Sequence, residues 1–186
     1  MNNLVLASGS PRRKELLSQL GYSFSVICTD VEEQRQANEN AKEYVSRLSL
    51  DKAMAGVVCS PDSSVVIGSD TIVVCGQNVI EKPLGLDHAK QMLLQLSGRA
   101  HQVMTAVTVA TKQQQETVVV TTDVWFKPLS ELEIEQYWQT GEPCDKAGSY
   151  AIQGFGGRFV TRIEGSYHAV VGLPLFETDQ LLHKFL

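Results

Sequence analysis

The stretch "LVLASGSPRRKELLSQLG", residues 4–21, decides the fold class. Leu4 to Ala7 read as a short apolar strand. They run into a Ser-Gly-Ser turn and then into a helix that Ser10 can cap, Pro11 can start and Gly21 can close. A strand that turns into a helix in this way presents unpaired backbone N–H groups and the positive end of the helix dipole, which together favour an anion. Arg12 and Arg13 fall at the mouth of that turn, where a planar guanidinium fork matches phosphate oxygens.

The same alternation continues outward along the chain. Phe24 to Thr29 reads as a strand, Asn40 to Val57 as a long helix with Tyr44, Val45 and Leu48 on one face, and Val65 to Val74 as a strong strand. The turn Gly76-Gln77-Asn78 folds that strand onto Val79 to Lys82, and Asp87 to Leu96 forms a helix that Gly98 ends. Gln102 to Ala110 and Thr117 to Phe126 alternate around a polar turn, which predicts an antiparallel pair and therefore a mixed sheet. Ser130 with Glu133 opens a helix to Thr140, and Pro174 to Phe185 forms the final one. Between them, residues 141–157 are too rich in glycine for a regular element, and long loops of that kind are often functional. The class is α/β, with helices flanking a central twisted mixed sheet. One domain over residues 1–186 is expected, since no linker or composition break divides the chain.

Composition narrows the function. A formal net charge of −5 argues against a sequence-independent nucleic-acid binder. No apolar run reaches the length of a membrane span, and the charges near the start follow the short apolar stretch, the reverse of a secretory signal. A cytoplasmic protein is expected. Cys28, Cys59, Cys75 and Cys144 are scattered without metal-site spacing, and His88, His101, His168 and His183 do not cluster. The chain has no G-x-x-x-x-G-K-[ST] loop, no H-E-x-x-H and no G-x-S-x-G elbow.

Asp70 interrupts the strand "VVIGSDTIVV", residues 65–74, and a carboxylate there is costly unless it meets a cation, a metal or several donors. Either it satisfies backbone amides or it works. Glu32 and Glu33 follow the second strand, where α/β proteins often place ligand-binding groups, though paired glutamates also make an ordinary solvated loop. Lys52 and Lys82 are each open to a functional or a solvating role. A Ser/Arg anion turn with scattered carboxylates and lysines suits phosphate chemistry assisted by a hard divalent cation.

"LASGSPRR" at 6–13, "GSDTIV" at 68–73, "EKPLG" at 81–85, "DKAGSYAIQGFG" at 145–156 and "GSYHAVVGLPL" at 165–175 together resemble the Maf family of nucleoside triphosphate pyrophosphatases, over nearly the whole chain. The resemblance implies an elongated Maf/ITPase-like fold with a cleft between two lobes, and hydrolysis of a nucleoside triphosphate to monophosphate and pyrophosphate. It implies Asp70 as the proton acceptor, Ser8, Ser10, Arg13, Lys52 and Lys82 at the phosphates, and a Mg²⁺ or Mn²⁺ ion near Glu33 and Asp70. Arg12, Thr71 and Gln153 match the positions that track base preference, in the combination of the branch acting on dTTP and UTP. A homodimer is likewise implied. Two rivals are a regulatory nucleotide-binding protein linked to septum formation and a monophosphate phosphatase on the same scaffold.

Overall fold

A computed structural model describes residues 3–186, in which seven strands and six α-helices follow the expected alternation. The strands lie in the order β2-β1-β3-β5-β6-β7, with β4 paired to β3. β1 (Asn3–Ala7) is parallel to β2 (Phe24–Ile27) and to β3 (Ser64–Cys75), while β3 and β4 (Asn78–Ile80) are antiparallel. β6 (Gln115–Phe126) is antiparallel to β7 (Val160–Glu164), so the sheet is mixed as the sequence predicts. β5 (Ala100–Ala110) and β6 are neighbours joined through a turn in which the Thr111 N–H donates to the Gln114 carbonyl at 2.8 Å. No helix among the described residues is long and apolar enough to cross a membrane.

The chain forms two compact units. The first comprises residues 1–71, 105–120 and 172–186, and the second residues 72–104 and 121–171. In the first, α1 (Pro11–Gln19) and α2 (Ala41–Cys59) are the two crossovers of the parallel strands. Asn40 begins α2 with a reciprocal box: its Oδ1 accepts from the Glu43 N–H at 3.0 Å, and Glu43 Oε2 accepts from the Asn40 N–H at 2.9 Å. The apolar face of α2, with Ala53 and Val57, packs on Val5, Ala7, Val66 and Ala110 of the sheet. At Gly68 the two elements touch backbone to backbone, since a Cβ there would lie 2.4 Å from the Ser49 carbonyl oxygen and 2.5 Å from the Ala53 nitrogen. α6 (Leu175–Phe185) also belongs to this unit.

The second unit is built on an aromatic core. α3 (Leu86–Leu96) and α4 (Glu131–Gln139) contribute Met92, Leu93, Leu96, Ile134 and Tyr137, which pack with Phe126, Tyr150 and Phe159. His101 is 3% exposed within it, stacked edge-on against Phe126 and hydrogen-bonded through Nε2 to the Tyr150 hydroxyl at 2.8 Å. The remaining helix, α5 (Tyr167–Val171), follows β7.

Several boundaries differ from expectation. The second strand stops at Ile27, and the fourth at Ile80, which leaves Lys82 in an exposed connection ahead of Pro83. A proline there cannot donate to a ladder. β7 and α5 were not expected: "VTRIE" is mostly exposed with no apolar alternation, and five residues are too few to show helical periodicity.

Burial lowers the His101 pKa from 6.5 to about 4. The unfolded chain therefore takes up a proton below pH 6.5 while the folded chain resists until about pH 4. The stability owed to a neutral His101 is complete above pH 6.5 and is lost as the pH falls through that window, by about 3 kcal/mol. In denaturant titrations, the stability gap between wild type and His101→Leu should narrow by about that amount from pH 7 to pH 4.

Candidate active site

Three sequence features of the first unit converge. Asp70, on the buried face of β3, is 6% exposed, and it lies two residues beyond Gly68 and therefore on the same side of the strand. Because Gly68 lets α2 descend onto β3, Lys52 of α2 reaches the carboxylate: Nζ is 2.6 Å from Asp70 Oδ1. The same ammonium donates to Glu33 Oε1 at 2.7 Å, and Glu33 is held in its loop by the Tyr44 hydroxyl, which donates to the Glu33 carbonyl at 3.1 Å. An ammonium has three N–H donors and two are committed here, so one remains for another anion.

The arginines of the opening turn behave differently from each other. Arg13 is locked: Nε donates to the Gly172 carbonyl at 2.8 Å and Nη2 to Thr71 Oγ1 at 3.2 Å. The Thr71 hydroxyl in turn shares a 2.9 Å hydrogen bond with Thr105, and Ser69 Oγ lies 3.1 Å from the same Gly172 carbonyl. Burial lowers the Arg13 pKa, and the nearby Asp70 charge opposes that shift while Arg12 adds to it. Arg12 is half-buried and, among the described residues, has no hydrogen-bond or ion-pair partner. The Ser8 hydroxyl, 7% exposed, accepts from the Ser10 N–H at 3.2 Å, and Ser10 caps α1 by accepting from the Arg13 N–H. That hydroxyl pairing tightens the turn whose amides and helix end favour an anion.

The arrangement is a buried carboxylate oriented by a lysine, beside a fixed arginine and a serine-lined turn at a helix N-terminus. The family model for Maf-like proteins matches residues 3–185. The chain belongs to the Maf family. A Vibrio parahaemolyticus protein named dTTP/UTP pyrophosphatase is 69% identical, over 99% of this chain and 97% of its own. Proteins of the same name are 67% identical in Vibrio cholerae, over 100% of this chain and 99% of theirs, and 56% identical in Yersinia pestis, over 100% and 94%. Among solved structures, the Staphylococcus aureus Ham1 protein is similar at a TM-score of 0.46, with 14% identity over 67% of this chain and 72% of that one.

Of the residues singled out from sequence, Ser8, Ser10, Arg12, Arg13, Glu33, Lys52, Asp70 and Thr71 belong to the first unit, and Lys82 and Gln153 to the second. Lys82 is exposed, in a connection tied down where the Gly148 N–H donates to the Glu81 carbonyl at 3.1 Å. Gln153 is exposed in the turn between Tyr150 and the 3₁₀ segment Phe155–Phe159. Sequence reasoning missed the supports of Arg13 in this Maf chain. Thr105 is one of two threonines in β5 and gives no local signal, whereas Gly172 lies inside "GSYHAVVGLPL" and acts through its carbonyl oxygen.

Glu33 and Asp70 supply hard carboxylate oxygens, and among the described residues no group of three or more His, Cys, Asp or Glu forms a protein-only metal cage. Two carboxylates with the remaining positions left to phosphate oxygens and water is a donor set that fits Mg²⁺ or Mn²⁺.

Lys52 separates Asp70 from Glu33, so Lys52→Met leaves a buried carboxylate unpaired. Removing one partner of a buried pair costs about 3–5 kcal/mol. Urea unfolding at pH 7 should show a loss of at least about 3 kcal/mol, largely recovered in Lys52→Met/Asp70→Asn.

Proposed function

We propose that this chain hydrolyses dTTP and UTP to the nucleoside monophosphate and pyrophosphate, by attack of water on the α-phosphorus. The observation that carries the reading is the Lys52–Asp70 pair, buried in the middle of β3 beside the Arg13 anion turn. Full-length identity of 56–69% to proteins named dTTP/UTP pyrophosphatase supports it.

In this reading Asp70 is the proton acceptor. Its Oδ1 is committed to Lys52, so Oδ2 takes the proton from the attacking water while Lys52 keeps the carboxylate in one orientation. The spare N–H of Lys52 and the Arg13 guanidinium offset the negative charge that grows on the phosphates, together with Ser8 and Ser10 and with Lys82. Glu33, with the second lone pair of Asp70 Oδ1, would hold a Mg²⁺ or Mn²⁺ ion, which would supply further charge neutralisation at the phosphates. A cytoplasmic homodimer accompanies this reading.

Arg12, Thr71 and Gln153 select the base. Uracil and thymine present two carbonyl acceptors and an N3–H donor, which an arginine, a hydroxyl and a carboxamide can complement. The Thr71 hydroxyl already accepts from Arg13 and bonds Thr105, so its influence on the base runs through the position of Arg13 as well. Cytosine exchanges an acceptor for a donor and a donor for an acceptor, leaving donors facing donors.

Product analysis with dTTP tests the reaction. Monophosphate and pyrophosphate are expected. Release of single phosphates points instead to a phosphatase, and binding without turnover to a nucleotide sensor. Asp70→Asn keeps the shape and removes the proton acceptor, so kcat should fall by about two orders of magnitude in a variant whose circular dichroism is unchanged. Near-normal turnover overturns the assignment.

Specificity is tested by kcat/KM for dTTP, UTP, CTP and dCTP. dTTP and UTP should be close to each other and exceed the cytosine nucleotides by about two orders of magnitude. Equal values for UTP and CTP would remove Arg12, Thr71 and Gln153 from base selection.

A further inference from the structure

The glycine-rich segment of the second unit is held by a carboxylate that the proposed reaction does not use. Glu142 follows α4 in the 3₁₀ turn Glu142–Asp145, and its side chain turns back beneath the segment that carries Gln153. Glu142 Oε2 accepts from the Phe155 N–H at 2.8 Å, and Oε1 accepts from the Gly156 N–H at 2.9 Å. Tyr137, fully buried in α4, donates its hydroxyl to Glu142 Oε1 at 2.6 Å and accepts at the same oxygen from the Ala151 N–H at 3.1 Å. The backbone is thus gripped on both sides of Gln153, at residue 151 before it and at residues 155 and 156 after it.

The fit leaves no slack. A Cβ at Gly154 would come within 1.9 Å of Glu142 Oε2, and one at Gly156 within 2.6 Å of the Tyr137 hydroxyl. Burial opposes the charge on Glu142, yet the hydrogen bonds from Tyr137, Gly156 and Phe155 outweigh it and hold the carboxyl below its ordinary range. The carboxylate is therefore ionised at neutral pH and accepts all three bonds. An exposed loop of this composition would otherwise sample many conformations, because glycine restricts the backbone least.

We infer that Glu142, acting with Tyr137, is a positioning residue for base selection: it fixes the backbone on either side of Gln153 so that the carboxamide reaches the pyrimidine edge from one position. The inference rests on the reading of Gln153 as a base-selecting residue. Neither Glu142 nor Tyr137 need touch the nucleotide. On a wandering loop the carboxamide can shift its position to suit either base edge, whereas a fixed backbone sets the point from which it reaches and so the register in which it meets the base.

The test compares the UTP/CTP ratio of kcat/KM in wild type, Gln153→Ala, Glu142→Gln, Gly154→Ala and the double variant Glu142→Gln/Gln153→Ala. Glu142→Gln replaces an acceptor oxygen by a donor amide facing a backbone N–H, and Gly154→Ala displaces the same carboxylate with no change of charge. Each should lower the ratio by roughly tenfold, toward the Gln153→Ala value, raising KM for UTP more than it lowers kcat. The double variant should fall no further than Gln153→Ala alone, as two residues acting through one contact are not additive. If Gln153→Ala lowers the ratio while Glu142→Gln and Gly154→Ala slow both nucleotides alike, the clamp is merely structural and the inference is overturned with the base reading intact. If Gln153→Ala leaves the ratio unchanged, the base reading itself fails and takes the inference with it. Gly154→Ala keeps the experiment decisive should Glu142→Gln fail to fold.

Discussion

The contact of α2 with β3 at Gly68 is the constraint from which the first unit's chemistry follows. No side chain separates the helix backbone at Ser49 and Ala53 from the strand, so the axis of α2 lies closer to the sheet than ordinary side-chain packing allows. Lys52 precedes Ala53 on the helix, and Asp70 follows Gly68 by one pleat on the strand. Their 2.6 Å contact is a consequence of that depth. A helix held a side chain's thickness farther away would leave the ammonium short of the carboxylate. Asp70 would then be a buried charge without a partner, which the fold could not bear cheaply.

Ion pairs so deep are poor devices for stability, because the desolvation of both groups offsets most of their attraction, and an apolar pair of similar volume often serves the fold as well or better. β3 runs Val65 to Ile67 before this position and Ile72 to Cys75 after it, all buried, so an apolar residue at position 70 would suit the strand. The core of the second unit takes the other course: Phe126, Tyr137, Tyr150 and Phe159 pack edge to face, and the histidine buried there is kept neutral. The proposed hydrolysis of a triphosphate gives the buried charge of the first unit a use that stability alone does not. The held Arg13 follows the same logic, its burial tolerated because the Gly172 carbonyl and Thr71 satisfy its donors and Asp70 lies near.

Much of this was legible in residues alone. The strand, turn and helix of residues 4–21, the capping pair Ser130 with Glu133, and the interruption of β3 by Asp70 are local signals, and each has its expected place. What escaped was of two kinds. β7 and α5 are short and lack periodicity, so nothing local announces them. The supports of Arg13 and Gln153 escaped because they are distant in sequence or act through backbone: the Gly172 carbonyl lies 159 residues from Arg13, and Thr105 lies 34 from Thr71. A carbonyl oxygen has no letter in a sequence. Glu142 has one, but a glutamate after a helix reads as solvated surface until the amides that fill it are in view.

The two supports share a principle. Arg13 and the Gln153 segment are each held by groups that spend their hydrogen-bonding capacity on protein atoms and leave the functional side chain to the ligand. Ordering a long side chain or a glycine-rich loop costs conformational entropy, and if that cost fell at the moment of binding it would weaken the ligand by the same amount. Here it is met during folding. For Arg13, two of its five N–H donors are used internally, so the guanidinium plane is already set and three donors are left for a ligand. For the loop, the carboxylate of Glu142 takes the place of the solvent that would otherwise satisfy the Phe155 and Gly156 amides. Selectivity needs this more than affinity does. A mobile donor relaxes to suit whichever base arrives, and only a fixed one imposes the full penalty of a mismatched hydrogen bond on the wrong base.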